Sequence, residues 1–135
     1  MKKIYSVCHI GAGRIGFTLE FDKRRAKPAT HIGMWEKNKN VKLSAVCEKN
    51  EIKKSKLNKI SKSAKIYKNY IKAIQTEKPD IVSIATWKDT HFKITNKCID
   101  LGVKVIVLEK PLANNLKQAN LLIKKIKKNK VKVLI

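Results

Sequence analysis

This chain of 135 residues has few cysteines, prolines, glycines and acidic residues, and it contains no long apolar run. Its three cysteines, Cys8, Cys47 and Cys98, are odd in number and lack metal-ligand spacing, so we expect buried, reduced thiols and no metal site. No run approaches the roughly 18 apolar residues of a membrane span, and the apolar stretch after the N-terminal lysines is short for a signal peptide. These absences predict a cytoplasmic protein that enters no membrane.

Acidic residues are also scarce, at 10 against 32 basic ones, which gives a formal net charge of +22. Such an excess normally indicates a nucleic-acid or anionic membrane partner. Only Arg14, Arg24 and Arg25 are arginines, however, and the lysines are spread over every segment. Recognition surfaces favour arginine forks and interleaved aromatics, so we interpret the lysines as a solvated coat and predict no nucleic-acid binding. A basic nucleic-acid-binding protein is kept as the less favoured alternative.

Apolar strand patterns alternate with stretches of helical periodicity along the whole chain, and the length suffices for one core. The predicted strands are 4–10, 41–47, 64–67, 81–85, 103–108 and 131–135. The predicted helices are 14–22, 30–38, 50–60, 69–77, 89–101 and 114–128, with Asn114 as an N-cap and Asn129 as a stop. Six strands with helical crossovers predict an α/β fold, a doubly wound parallel sheet with helices on both faces.

Three of the five glycines lie in the segment GAGRIG, residues 11–16, directly after the first strand. Dinucleotide sites need this spacing, because Gly11 permits a tight turn, Gly13 lets the backbone approach a pyrophosphate, and Gly16 allows close helix packing. The amide groups at the helix start then face the anion. The pattern also fits an ordinary strand-turn-helix, but the alternating strands and helices around it favour a Rossmann-type nucleotide site.

The second predicted strand ends at an acid, Glu48. In dinucleotide folds such a carboxylate accepts hydrogen bonds from the adenosine ribose, about 20 residues beyond the glycines. Here the separation from Gly16 is 32 residues. We interpret 17–29 as an insertion, because Pro28 and a charge cluster break the helical pattern there, and removing about 12 residues restores the spacing. A plain surface acid is the alternative for Glu48.

Three segments follow one another in the order found in a known family. The first is GAGRIG followed, after the insertion, by Thr30-His31 and the strand that ends at Glu48. The second is PDIVSIATWKDTH, residues 79–91, and the third is GVKVIVLEKPLA, residues 102–113, which contains a Glu-Lys-Pro signature. Together they resemble the nucleotide-binding domain of the Gfo/Idh/MocA oxidoreductases, which include glucose–fructose oxidoreductase and inositol dehydrogenase.

The resemblance implies hydride transfer between NAD, or alternatively NADP, and a sugar or polyol substrate. It assigns Lys110 the catalytic position, beside the nicotinamide and the reacting hydroxyl. Glu109 could orient Lys110, and Pro111 would fix the backbone there, with a cis bond as one way of doing so. We expect Glu48 to favour NAD over NADP, with Lys49 next to it able to weaken that preference, and also Arg24 or Arg25 if the insertion folds back.

The resemblance also implies a set of cofactor-binding residues. Thr86 and Trp87 would line the crevice where the strand order reverses, although many family members have proline in place of Trp87. His91 more plausibly shapes the cleft than abstracts protons, and we interpret His31 as structural. The complete predicted set is Gly11, Gly13, Arg14, Ile15, Gly16, Glu48, Thr86, Trp87, His91, Glu109 and Pro111.

Family members usually carry a second α/β domain that supplies most substrate contacts. We therefore expect residues 1–135 to form the NAD(P)-binding domain of a longer protein, truncated before that domain and inactive on sugars by itself. A homo-oligomer is expected if the second domain is present. A non-catalytic NAD-binding sensor is the alternative from another functional class.

Overall fold

A single parallel sheet organises the computed structural model, which describes residues 3–61 and 63–135. Its six strands are paired in the order β3-β2-β1-β4-β5-β6. The strands are β1 (Tyr5–Ile10), β2 (Val41–Cys47), β3 (Lys65–Tyr67), β4 (Ile81–Ile84), β5 (Val105–Leu108) and β6 (Lys132–Leu134). This order is that of a doubly wound dinucleotide-binding sheet, and it confirms the predicted Rossmann-type α/β fold.

Helices cover both faces of the sheet. They are α1 (His31–Lys37), α2 (Glu51–Ile60), α3 (Tyr70–Glu77), α4 (Lys88–Asp100) and α5 (Leu116–Lys128). Helices α1 and α2 pack on one face around Ile32, Trp35 and Leu57. Helices α3 and α4 pack on the other, where Ala73 and Ile94 belong to a second cluster. Because both faces are covered, the central strands consist largely of buried residues.

The three cysteines are buried and free, as the sequence predicts. Cys8 and Cys47 lie on neighbouring strands with their sulfur atoms 4.0 Å apart, and Cys98 lies in α4 within the same apolar cluster. Among the helices of the described residues, none combines the length and the apolar character that crossing a membrane requires.

Two local predictions are wrong. Residues 14–22 do not form an α-helix, because a turn through 13–17 leads into a short 3₁₀ helix, Thr18–Phe21. The N-cap of α5 is Asn115, whose side chain accepts a hydrogen bond from the Gln118 amide at 2.9 Å, and not Asn114. The predicted stop of α5 at Asn129 is confirmed. The other predicted elements are present, with their ends shifted by one or two residues.

The predicted insertion loops out of a helix that continues on its far side. The amide of His31 donates to the Ile15 carbonyl and that of Ile32 donates to the Gly16 carbonyl, each at 3.1 Å. If residues 18–29 are left out of the count, both become the bonds of an ordinary α-helix, four residues apart. Helix α1 therefore extends the turn at 13–17, and the insertion begins after Phe17, which is fully buried.

A carboxylate ties the inserted segment to α1. One oxygen of Glu20 accepts from the Ala29 amide at 3.0 Å and from the Thr30 hydroxyl at 2.7 Å. The Thr30 hydroxyl in turn accepts from the Gly33 amide at 3.1 Å and so caps the helix. A Cβ atom at Gly33 would lie 2.3 Å from the Glu20 carboxylate, so only glycine leaves room for this anchor.

We expect the chain to fold without its insertion. Deleting 18–29 joins Phe17 to Thr30 in helical register, and a shorter loop costs less entropy to close, so the free energy of unfolding should change by no more than about 1 kcal/mol. Deleting 17–28 removes the same number of residues but places Ala29 where the buried Phe17 was, which should cost about 3 kcal/mol or more. Urea denaturation of both variants, followed by circular dichroism, tests this. Equal stability of the two variants would contradict the placement of the insertion after the buried Phe17.

Candidate functional site

The predicted site residues converge at the carboxyl ends of the central strands. The Ala85 amide donates to the Ile10 carbonyl at 2.9 Å, and the Glu109 amide donates to the Ile84 carbonyl at 2.9 Å. The loops after β1, β4 and β5 therefore leave the sheet side by side. Because β1 lies between β2 and β4, the strand order reverses here, and a crevice opens at such a point in doubly wound folds.

Two glycines shape the turn after β1 through close contacts. Gly11 has a φ of +100°, and a Cβ atom there would lie 2.7 Å from the Ala85 carbonyl oxygen. At Gly16 a Cβ atom would lie 2.1 Å from the Gly11 carbonyl oxygen and 3.1 Å from Nε2 of His9. A side chain at either position would separate the turn from the strands. This geometry matches the tight turn and the close packing that the spacing predicts.

The outer side of the same turn is open. A Cβ atom at Gly13 would meet only the Ala85 carbonyl oxygen, at 4.0 Å. The Phe17 amide donates to the Gly13 carbonyl at 2.9 Å and closes the first helical turn. Within residues 3–61 and 63–135, no group accepts a hydrogen bond from the backbone amides of Gly13, Arg14, Ile15 and Gly16. Four free donors in succession are the anion-binding arrangement of a helix start.

Glu48 is fixed against this turn. Its Oε2 atom accepts from the Ala12 amide at 3.1 Å, and its Oε1 atom accepts from the Asn50 amide at 2.8 Å. The ammonium of Lys53 lies 3.8 Å from Oε2, and the Glu48 side chain is 12% exposed. Arg25 instead pairs with Asp22 at 3.4 Å, inside the insertion. Among the described residues, Lys53 is the cation that pairs with Glu48, and the sequence analysis did not single it out.

The loop after β4 presents an exposed indole. Trp87, which immediately precedes α4, is 84% exposed. Thr86 lies beside it, and the Thr90 hydroxyl is 2.7 Å both from the Thr86 hydroxyl and from the Trp87 carbonyl. The Thr90 amide also donates to that carbonyl, at 2.9 Å. The backbone of this loop is thus held by α4, while the indole projects into solvent.

His91 lies behind the loops after β4 and β5 and is 1% exposed. Its Nδ1 atom is 2.7 Å from the Pro111 carbonyl, and its Nε2 atom is 3.1 Å from the Thr86 carbonyl. Carbonyl oxygens only accept, so a doubly protonated ring is the form that donates to both. His91 therefore connects the two loops through their backbone carbonyls, and its buried side chain does not itself line the crevice.

The Glu-Lys-Pro segment follows β5 with its two charged side chains separated. Nε2 of His31 lies 2.8 Å from Oε1 of Glu109, so in this structure Glu109 pairs with His31 and not with Lys110. Lys110 is exposed, and in the described part of the chain its ammonium has no hydrogen-bond or ion-pair partner. The Lys110–Pro111 peptide bond is cis.

Three polar residues that the sequence analysis did not assign to the site lie beneath it. Nε2 of His9 is 2.9 Å from the Gly11 carbonyl, and Nδ1 of His9 is 3.0 Å from the Ser83 hydroxyl. The same hydroxyl is 3.4 Å from Nδ1 of His31. Burial, with a smaller contribution from His31, lowers the pKa of His9 to about 3. The available signal in the sequence was a polar residue within each of two predicted strands, His9 and Ser83, which the structure pairs across β1 and β4.

Metal chemistry has no support among the described residues, where no three histidine, cysteine, aspartate or glutamate side chains are grouped to hold an ion. The open glycine turn, the anchored acid and the sheet order instead define a dinucleotide-binding domain. The family described as oxidoreductases with an NAD-binding Rossmann fold matches residues 6–135. The chain belongs to this family, the Gfo/Idh/MocA oxidoreductases, and comprises its NAD-binding part. No curated protein matches the chain by sequence.

Solved structures of oxidoreductases share the fold. The WlbA dehydrogenase from Chromobacterium violaceum, solved with NADH and UDP-GlcNAcA, superimposes with a TM-score of 0.79 at 21% identity, over 98% of this chain and 34% of its own. Myo-inositol 2-dehydrogenase from Lactobacillus plantarum gives 0.73 at 21%, over 97% and 36%. The dehydrogenase MviM from Clostridium difficile gives 0.75 at 20%, over 97% and 38%. The chain thus spans roughly a third of the length of these proteins.

Proposed function

We propose that this chain binds NAD(H) along the crevice at the carboxyl ends of β1, β4 and β5. The observation that carries the proposal is the run of four free amides at 13–16 beside an open Gly13. A pyrophosphate placed there accepts from these donors without displacing any internal hydrogen bond. The residues fit the group, because the close contacts of Gly11 and Gly16 hold the turn in shape, while among the described residues a Cβ atom at Gly13 would meet only the Ala85 carbonyl oxygen, at 4.0 Å.

The two ends of the dinucleotide would lie on opposite sides of this turn. Glu48 follows β2 and offers carboxylate oxygens to the adenosine ribose. Thr86, Trp87 and Lys110 follow β4 and β5, on the side where the nicotinamide belongs. The exposed indole of Trp87 would offer a large apolar surface to the cofactor.

The same geometry favours NAD over NADP. A carboxylate accepts from ribose hydroxyls but repels a 2′-phosphate. The Ala12 and Asn50 amides hold the Glu48 carboxylate in place, so it cannot easily turn away from a phosphate. Lys53, 3.8 Å away, offsets part of the repulsion. We therefore expect a preference for NAD that is measurable but incomplete.

The reaction we propose is oxidation or reduction at a hydroxyl or carbonyl carbon of a sugar or polyol. A bound nicotinamide accepts or donates the hydride. Lys110 would hydrogen-bond the substrate oxygen and stabilise the negative charge that develops on it. The free, exposed ammonium of Lys110 supports this role. The substrate class rests on family membership and on the named ligand and substrate of two relatives, UDP-GlcNAcA and myo-inositol.

The remaining partners follow from the same proposal. A second domain would supply most substrate contacts and a surface for homo-oligomers, as the greater length of the relatives suggests. We propose a cytoplasmic protein that binds no nucleic acid. Its lysines are dispersed over every segment of the chain, as expected of a solvated coat.

Titration with NADH and NADPH tests the binding proposal. NADH should raise the melting temperature of the chain in a concentration-dependent way and bind about tenfold more tightly than NADPH. Gly13→Val should fold normally, because its side chain enters open space, yet lose binding of both. Glu48→Gln should keep the shape of the side chain and weaken the discrimination between the two cofactors.

Binding that survives in Gly13→Val would place the nucleotide elsewhere on the protein. Tighter binding of NADPH by the unmodified chain would show that Lys53 and its neighbours outweigh Glu48. Failure of NADH to stabilise the folded chain at any concentration would overturn the proposed function itself.

The role of Lys110 requires a chain completed with a substrate domain. Lys110→Ala should lower turnover by about a hundredfold or more while leaving the affinity for NAD nearly unchanged, because its interaction strengthens as charge develops. Lys110→Arg should also fail, since a planar guanidinium does not replace a compact ammonium. Steady-state kinetics together with cofactor titration distinguish these effects. A loss of NAD affinity with turnover preserved would make Lys110 a cofactor anchor.

A further inference from the structure

A hydrogen-bonded series of buried and partly buried polar groups runs beneath the crevice from the glycine turn to the Glu-Lys-Pro segment. Its members in order are the Gly11 carbonyl, His9, Ser83, His31 and Glu109, and successive partners are 2.9, 3.0, 3.4 and 2.8 Å apart. His9 and Ser83 are fully buried, and the rings of His9 and His31 stack with their centroids 5.6 Å apart. The proposed reaction assigns no role to these three side chains.

The Gly11 carbonyl and the neutral state of the fully buried His9 together fix the directions of the hydrogen bonds in this series. A carbonyl only accepts, so Nε2 of His9 carries the hydrogen. His9 is neutral because its pKa is lowered to about 3, so its Nδ1 has a lone pair that accepts the hydroxyl hydrogen of Ser83. That hydroxyl has no second hydrogen to give. It therefore accepts at His31, whose Nδ1 must carry a hydrogen.

One proton then belongs to the last contact. With its Nδ1 hydrogen committed to Ser83, His31 faces the carboxylate of Glu109 through Nε2 at 2.8 Å. Two lone pairs facing each other at this distance would repel, so one proton lies between Nε2 and the carboxylate oxygen. This proton cannot move towards His9, because Nδ1 of His31 and the Ser83 hydroxyl each already carry a hydrogen. Glu109 is thereby engaged by His31 and withheld from the neighbouring Lys110.

We propose that His31 is a positioning residue of the site, which holds one proton against Glu109 and so leaves the Lys110 ammonium free to meet the substrate oxygen. Ser83 and His9 serve this role by orienting His31 from the glycine turn. The inference rests on the proposed function for the role of Lys110. The hydrogen-bond directions themselves depend only on the apo protein.

Nitrogen-15 spectra of the histidine rings in the apo chain test the directions, and with only three histidines the signals separate. His9 should carry its hydrogen on Nε2 alone, and Nδ1 of His31 should be protonated. A hydrogen on Nδ1 of His9, or a bare Nδ1 on His31, would overturn the proposal. This measurement needs no variant.

Two conservative variants test whether Ser83 and Glu109 set the protonation of the His31 ring. Glu109→Gln should leave His31 with its hydrogen on Nδ1 only, because the new amide donates to Nε2. Ser83→Ala should release Nδ1, so that His31 keeps its hydrogen on Nε2 towards Glu109. His91, which contacts neither residue, serves as the internal control and should not change. A His31 signal that either variant leaves unaltered would overturn the positioning role.

Titration of the same samples with NADH separates the two proposals. If the histidine rings carry their hydrogens as predicted but NADH does not bind, the proposed function is refuted, and the functional role of His31 with it. The hydrogen-bond directions would still stand in that case. NADH binding with the opposite ring states would refute the positioning role and leave the cofactor site standing.

Discussion

The contact between the Gly11 carbonyl and Gly16 is the constraint on which the rest of the site depends. A Cβ atom at position 16 would lie 2.1 Å from that oxygen, which leaves no room for a side chain. The first helical turn therefore packs directly against the end of β1. The same turn carries the free amides of residues 13–16, and its Gly11 carbonyl lies 2.9 Å from Nε2 of His9. Both the proposed anion site and the series of polar groups beneath it depend on this one contact.

The inserted segment shows what this constraint tolerates. The turn at 13–17 needs a continuing helix to pack against the sheet, yet the chain leaves after Phe17 and returns at Thr30. The amides of His31 and Ile32 donate to the carbonyls of Ile15 and Gly16, so the helical hydrogen-bond pattern continues across the insertion. The Glu20 carboxylate anchors the inserted segment at its C-terminal end by accepting a hydrogen bond from the Thr30 hydroxyl. The site is therefore unaffected by an insertion in its supporting helix, because the hydrogen-bond register on the two sides agrees.

The sheet, the glycine turn and the end of β2 at Glu48 could be predicted, because each depends on local pattern or on fixed spacing. The helix at 14–22 could not, since apolar periodicity alone does not distinguish a helix from a turn followed by a loop. The partner of Glu109 was also missed. Lys110 is adjacent in sequence, but His31 lies 78 residues away and is brought to Glu109 only by the packing of α1 on the sheet. Such pairings depend on tertiary placement that composition and spacing do not encode.

The most direct measurement is the free energy of unfolding of Gly16→Ala beside that of Gly13→Ala. Both add one methyl group to the same turn, but only the first must displace the Gly11 carbonyl. We predict that Gly16→Ala loses about 3 kcal/mol or more, while Gly13→Ala stays within about 1 kcal/mol of the unmodified chain. Equal stability of the two variants would contradict the account, because the turn would then not be held by the contact between Gly11 and Gly16.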